Sequence, residues 1–357
     1  MIAAITLLLG VQSAAGAESP AVHMWPAPSR VALQTVASLP SYRPRAKVSG
    51  HIVIWGHGSA TRDFMGPLIR RWSAEFRRYQ PNVTFENRMY GTSSAIGGLA
   101  LGGGNIAILG EEISPDAERM FERAKGYKPT RVEIANGSLA TNYFDYAHQI
   151  FVNRANPLAR LTLRQLEEIF GAEHRCAPRN IRAWGELGLK GAWANRPIHP
   201  YSWKTDEDFA LFLRERALCG SHRWNPATTE VHAIQKADGS QYDLGQQIVD
   251  GVARDPLGIG ISNQRFARPE VKALPLAWSA KGTYVAATDA SLISHQYPLI
   301  RILPAFIDRK PGQAADPAVA EFLRFILSRE GQAALIEQSG YLPLNAKEAD
   351  EAQKWLR

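Results

Sequence analysis

The chain has 357 residues, of which 45% are hydrophobic and 21% charged, with a formal net charge of +7. This composition excludes a disordered or fibrous chain and supplies enough apolar residues for two domain cores. The basic residues form no polybasic run, because Arg70, Arg71, Arg77 and Arg78 are interleaved with apolar and acidic positions. Binding to nucleic acid is therefore not expected.

The first 17 residues have the pattern of a secretory signal. An apolar run at residues 2–9 is followed by small residues up to Ala17, with the A-x-A spacing of a cleavage site. Cleavage after Ala17 is predicted. The run is too short to span a bilayer, and no other stretch approaches the roughly 20 apolar residues of a membrane helix. An exported, soluble mature protein is therefore expected.

Residues 18–46 contain five prolines without a period, which predicts an extended leader that packs loosely or not at all. From residue 47 onwards, strand and helix patterns alternate, and no internal repeat of fixed period is present. The predicted strands cover residues 48–55, 83–90, 106–109, 149–153 and 197–203. The predicted helices cover residues 64–76, 94–101, 115–125, 163–170, 206–217, 246–253 and 320–338. Such alternation indicates an α/β protein with parallel sheets.

The chain has two cysteines, Cys176 and Cys219. In an exported protein two cysteines favour one disulfide over a metal pair or a nucleophile. For four of the tryptophans in the middle segment, packing in the interior is predicted. They are Trp193, Trp203, Trp224 and Trp278.

The sequence contains none of the common catalytic or cofactor motifs. The histidines have no H-x-H or H-E-x-x-H spacing, so no metal is expected. The glycines near residue 100 form neither a P-loop nor a G-x-G-x-x-G motif, and there is no G-x-S-x-G elbow. No cofactor, nucleotide site or enzymatic activity is therefore predicted.

Several segments together resemble the phosphate-binding subunits of ABC importers, the PstS type. They are residues 126–129 (GYKP), 153–158 (NRANPL), 161–170 (LTLRQLEEIF), 255–260 (DPLGIG), 297–299 (YPL) and 322–332. The resemblance implies a type II periplasmic-binding fold of two lobes, each a mostly parallel sheet flanked by helices, with the ligand cleft between them. Residues 47–143 and 298–357 would form the first lobe, and residues 144–297 the second.

The resemblance also implies where a ligand would bind. Ser59 and Thr61 follow the first strand where the family has a phosphate loop, and Ser93 and Ser94 follow the second strand at a matching Gly-Ser-Ser segment. Each pair precedes a predicted helix, whose free N–H groups and dipole favour an anion. A structural role as a turn or helix cap remains an alternative for both pairs.

Two further loops complete the predicted site. Glu112 aligns with a family loop that supplies an Asp or an Arg, and could accept a hydrogen bond from a protonated anion; a solvated surface glutamate is the alternative. Lys204 and Thr205 stand where the family has an Arg followed by Ser-x-Ser-Gly-Thr, and this sequence lacks the Gly-Thr pair. A lysine cannot reproduce the bidentate geometry of an arginine.

The leading hypothesis is a monomeric, periplasmic solute-binding protein that captures phosphate or a related oxyanion for the permease subunits of an ABC importer. The alternative is a degenerate module of the same fold that acts as an envelope sensor or interaction protein. A secreted hydrolase is a third possibility, but the sequence offers no convincing pair of nucleophile and base.

Overall fold

The computed structural model describes residues 26–57, 65–110, 112–139, 147–205 and 208–357. The α-helices are α1 (Arg30–Ser38), α2 (Met65–Phe76), α3 (Thr92–Ala100), α4 (Pro115–Lys125), α5 (Leu163–Phe170), α6 (Asp208–Ala217), α7 (Leu244–Arg254), α8 (Asp289–Ile293), α9 (Pro317–Ile326), α10 (Arg329–Gln338) and α11 (Ala346–Lys354). The strands are β1 (Gly50–Gly56), β2 (Val83–Arg88), β3 (Ile106–Ile108), β4 (Thr130–Asn136), β5 (Gln149–Asn153), β6 (Leu161–Thr162), β7 (His199–Trp203), β8 (Thr229–Val231), β9 (Ile234–Gln235), β10 (Gln241–Tyr242), β11 (Gly258–Ser262), β12 (Val271–Ala273), β13 (Leu276–Ala277) and β14 (Ile302–Ile307).

The first large sheet has the strand order β2-β1-β3-β14-β4. β1 pairs in parallel with β2 and β3, whereas β14 runs antiparallel to β3 and β4. Four of its five strands therefore point the same way. The fifth strand, β14, runs in the opposite direction and comes from the C-terminal part of the chain. The first lobe is therefore built from two separate segments of the chain.

The second large sheet repeats this plan with the order β12-β5-β11-β7-β8. β11 and β7 run parallel, as do β7 and β8, while β5 runs antiparallel to β11 and β12. The antiparallel strand, here β5, is again the first strand after the chain passes from one large sheet to the other. Together the sheets give the mostly parallel, two-sheet α/β architecture that the sequence predicts.

Local signals explain where several helices begin and end. Ser114 caps α4 by accepting from the Ala117 N–H, and Gly126 ends it with a left-handed φ of 82°. α5 begins with a capping box between Thr162 and Gln165. Both helices have the bounds that the sequence pattern predicts, because these signals lie within one turn of the helix ends.

Each sheet has its own apolar core. The core of the first lobe includes Trp72, Phe76 and Phe322, and the core of the second includes Trp184 and Trp203. In the described part of the chain, no helix is both long and apolar enough to cross a membrane.

The prediction of a loosely packed leader is wrong for residues 26–46, the part of it that the structure describes. Ser29 caps α1, which buries Ala32 and Val36, and Tyr42 is buried beyond the helix. The Tyr42 hydroxyl donates to the buried Glu321 carboxylate at 2.6 Å, and its backbone N–H donates to Glu330 at 2.7 Å. The prolines flank this helix without interrupting it, so their number says little about packing.

The single helix predicted for residues 320–338 is also wrong. The chain breaks between α9 and α10, where Ser328 caps the second helix through the Gly331 N–H. At Gly331 the backbone approaches so closely that a Cβ atom would stand 2.2 Å from the Phe325 carbonyl oxygen. A continuous amphipathic pattern conceals such a break, because apolar residues recur at helical spacing on both sides of it.

The predicted disulfide is present. Cys176 and Cys219 are bonded, with a Cα–Cα distance of 6.3 Å. The bridge joins the loop after α5 to the turn after α6, and Cys219 adopts a left-handed φ of 49° there. The buried Glu167 carboxylate accepts from the Cys176 backbone N–H at 2.9 Å. The C-terminal end of α6 is thus fixed to the body of the second lobe.

Candidate functional site

The carboxyl ends of β1, β2 and β3 meet at one edge of the first sheet. The β1–β3 pairing extends to the His57 N–H, which donates to the Ile108 carbonyl at 3.0 Å. Beyond β2, Gly91 turns the chain into α3 with a φ of 101°, a conformation that favours glycine. The Thr92 hydroxyl then accepts from the Gly110 N–H at 3.2 Å, which ties the loop after β3 to the start of α3. In open α/β sheets this edge is where ligands bind.

A cavity of about 600 Å³ opens at this edge, between the first lobe and α6 of the second. The first lobe contributes hydroxyl groups at the start of α3 and the loop that carries Glu112, and the second contributes Thr205 and Arg214. The polar residues that line the cavity are Thr92, Ser93, Glu112, Ser114, Asp116, Arg119, Thr205, Arg214 and His222. Hydroxyl donors from both lobes therefore face one space.

The Glu112 carboxylate forms a two-point ion pair with Arg301. Arg301 Nη2 lies 2.8 Å from Oε2, and Nε lies 3.3 Å from Oε1. The Arg301 side chain is 1% exposed, and its guanidinium lies 5.0 Å from the ring centroid of Phe209 on α6. A side-on pair of this kind is among the stronger charge-assisted contacts. It balances the negative charge that Glu112 would otherwise bring to an anion site.

Among the described residues, Arg214 is a cavity cation without a carboxylate partner. Asp116 lies 2.5 Å from Arg119, whereas no carboxylate of the described residues lies within ion-pair distance of Arg214. Arg214 Nη2 instead lies 2.8 Å from His222 Nε2. A guanidinium can only donate, so the histidine nitrogen accepts in this contact. The positive charge of Arg214 thus remains available to a ligand.

The structure brings three of the predicted site residues together and separates others. Ser93, Glu112 and Thr205 line the same cavity. Ser94 is not among its lining residues, and its hydroxyl donates to the Gly91 carbonyl at 2.9 Å, which fits the role in the turn. Lys204 is exposed and does not line the cavity. Ser59 and Thr61 lie outside the described residues.

Arg214, His222 and Arg301 were not predicted from the sequence. Arg214 lies within a predicted helix whose charged residues are typical of a solvated face. Arg301 offered a clearer signal, since it interrupts the apolar run at residues 298–307 and arginine is almost never fully buried unless it is paired. An arginine within an apolar run predicts that its side chain is paired, but the run does not identify the residue that pairs with it.

A buried histidine lies behind the cavity. The His148 ring is surrounded by Trp203, Phe209 and Phe212, with centroid distances of 4.8 to 5.2 Å. Neither ring nitrogen has a hydrogen-bond partner among the residues that the structure describes. Burial, reinforced by the positive charge of Arg301, holds the pKa of His148 well below its usual range. The ring is therefore neutral under ordinary conditions.

This burial predicts a loss of stability in acid. The unfolded chain takes up a proton at His148 below about pH 6.5 and the folded chain does not, so the free energy of unfolding should fall by about 1.4 kcal/mol per pH unit. Between pH 7 and pH 5, the free energy of unfolding measured in urea should fall by about 2 kcal/mol less for His148→Leu than for the unmodified protein. Replacement of the exposed His174 is the control, and equal losses in His148→Leu and the unmodified protein would contradict the prediction.

Comparison with known proteins agrees with this architecture. A family model described as the PBP superfamily domain matches residues 47–330. The phosphate-binding protein PstS of Pseudomonas aeruginosa is 30% identical over 321 residues, which cover 89% of this chain and 91% of that protein. Protein SphX of Synechococcus elongatus is 24% identical over 314 residues, 85% of this chain and 81% of that protein.

Among solved structures, PstS from Borrelia burgdorferi aligns with a TM-score of 0.52 and 15% identity, covering 82% of this chain and 99% of that chain. At this identity the likeness concerns the fold alone. It confirms the type II periplasmic-binding fold that the sequence segments imply. The chain belongs to the PBP superfamily and, within it, to the PstS-like periplasmic binding proteins.

Proposed function

We propose that this protein is an exported solute-binding protein that captures phosphate, or a related protonated oxyanion, between its lobes for the permease of an ABC importer. One observation carries the proposal. Hydroxyl-bearing residues from both lobes, Ser93 and Thr205, line one cavity with Arg214, whose charge no described carboxylate balances. The relatives named PstS support phosphate as the ligand.

In this proposal Arg214, and not the predicted Lys204, supplies the positive charge that binds the anion. A guanidinium presents donors in a planar fork that matches two oxygens of a phosphate. Because α6 belongs to the second lobe and Ser93 to the first, an anion held by both would favour the closed arrangement of the lobes. Binding and closure would then be one event, as delivery to a permease requires.

Glu112 would select for a protonated ligand. An ionised carboxylate offers roughly four acceptor positions, and Arg301 occupies two of them. The remaining positions can accept a hydrogen bond from a P–OH group, whereas sulfate has no proton to donate. Phosphate and arsenate should therefore bind more tightly than sulfate, and affinity should fall as pH rises past the ligand's own pKa.

Isothermal titration of the mature protein with phosphate, arsenate and sulfate tests the proposal. We expect heat from the first two and little from sulfate, together with a rise in the melting temperature when phosphate is in excess. Absence of binding by all three at millimolar concentration would contradict it. That result would favour the degenerate module that acts as an envelope sensor or interaction protein.

Export is a separate prediction. The signal at residues 1–17 lies outside the described residues, and its apolar run and small-residue site support cleavage after Ala17. Intact-mass analysis of protein purified from the cell envelope should give a chain that begins at Glu18. A mature chain that retains Met1 in the cytoplasm would contradict this prediction.

A further inference from the structure

The cleft continues past Glu112 into a second cavity of about 570 Å³. The two cavities share four lining residues, Glu112, Ile113, Pro115 and Leu211. Pockets of roughly 300–1,000 Å³ commonly hold organic ligands. Each cavity alone falls within that range, so the cleft offers more room than a single inorganic anion would occupy.

Arg216 is the distinctive group of the second cavity. Its guanidinium lies 5.7 Å from the ring centroids of both Phe212 and Trp278, and its Nη2 is 3.5 Å from the Ile300 carbonyl oxygen. Among the described residues, no carboxylate lies within ion-pair distance of it. Burial lowers the pKa of Arg216, while Glu112 and Glu133 oppose that shift from beyond contact distance. A partly desolvated cation of this kind gains free energy when an anionic partner arrives.

The other charged groups of this cavity mostly have partners. Arg301 binds Glu112 at 2.8 Å, Lys128 binds Glu118 at 2.8 Å, and Arg131 lies 3.6 Å from Glu133. Glu215 also lines this cavity and is exposed. Trp278, for which the sequence suggested an interior position, is 48% exposed and forms part of the wall. The cavity therefore combines an uncompensated arginine with an open aromatic surface.

We propose that Arg216 and Trp278 form a second anion subsite, and that the ligand is a two-headed anion whose phosphate lies at Arg214 and whose second anionic group lies at Arg216. This inference rests on the proposed function, because it extends the same cleft. Arg214 and Arg216 are two positions apart on α6 and therefore point to different sides of that helix, one toward each cavity. A ligand that reaches from one side of Glu112 to the other would contact both Arg214 and Arg216.

Titration calorimetry with three probes tests the subsite: inorganic phosphate, pyrophosphate and phosphonoacetate. The unmodified protein should bind pyrophosphate or phosphonoacetate, the two-headed probes, roughly tenfold or more tightly than phosphate. Comparison of pyrophosphate with phosphonoacetate shows whether the second group is a phosphate or a carboxylate. Arg216→Gln should weaken two-headed binding by roughly tenfold to a hundredfold and leave phosphate binding within about threefold. Arg164→Gln, at an exposed arginine on α5, is the matched control.

Trp278→Ala provides a second test, because an exposed side chain can be removed without opening the core. It should also weaken two-headed binding selectively, which keeps the inference testable if Arg216→Gln does not fold. Two results would overturn the subsite and leave the proposed function standing. In the first, the unmodified protein binds phosphate and shows no preference for the two-headed probes. In the second, the variants lose affinity equally for all three probes. Failure of all three probes to bind would overturn both.

Discussion

Replacement of Arg214 by glutamine should weaken phosphate binding by roughly 30-fold to several thousandfold, which corresponds to about 2–5 kcal/mol. Arg214 is the cavity cation that no described carboxylate balances, and hydrogen bonds to charged groups are each worth about 1.5–3 kcal/mol. Glutamine keeps some length and polarity but removes the charge. Isothermal titration with phosphate measures the effect directly.

Two variants sharpen this prediction. Arg214→Lys keeps the charge but loses the planar fork, so its affinity should lie between those of the glutamine variant and the unmodified protein. Arg223→Gln is the control, since Arg223 lies in the same segment, is 76% exposed and pairs with Glu173 outside the cavity. If Arg214→Gln binds phosphate as tightly as Arg223→Gln, Arg214 does not hold the anion.

Removal of the disulfide should lower the free energy of unfolding by about 4 kcal/mol. The bonded cysteines are separated by 43 positions, and a cross-link that closes a loop of this size strongly restricts the unfolded chain. Both cysteines are exposed, so Cys176→Ser with Cys219→Ser removes little packing. Guanidinium unfolding of the double variant under non-reducing conditions measures the difference.

Reductant supplies the control for this experiment. It should destabilise the unmodified protein and leave the double variant unchanged. The bridge also supports the turn after α6, where Arg175 donates to the Gly220 carbonyl and Ser221 donates to Glu173. An unfolding midpoint that is the same with and without the cysteines would contradict a stabilising role.

The sequence by itself determined the α/β class, most element positions and the covalent link. The class and the element positions depend on signals within a few residues of one another, such as Ser114 before α4 and the Thr162–Gln165 box of α5. The covalent link follows from the presence of only two cysteines in the chain. Ser93 and Thr205 were placed at a ligand edge by the resemblance, since each follows a strand and precedes a helix where the family has a ligand-binding loop. Helix caps, hydrophobic periodicity and strand ends depend on neighbouring residues, so they can be predicted from one sequence.

Only the tertiary structure decided how the charges are paired. Lys204 does not line the cavity, whereas Arg214, ten positions later on α6, does. Glu112 meets Arg301 across 189 positions of sequence, and the Pro-rich segment before residue 47 forms a helix held by Tyr42 and Glu321. The partner of a charge, and so whether it repels, neutralises or binds an anion, depends on packing between distant segments. No local pattern encodes that packing, because the same arginine is equally acceptable on a solvated helix face.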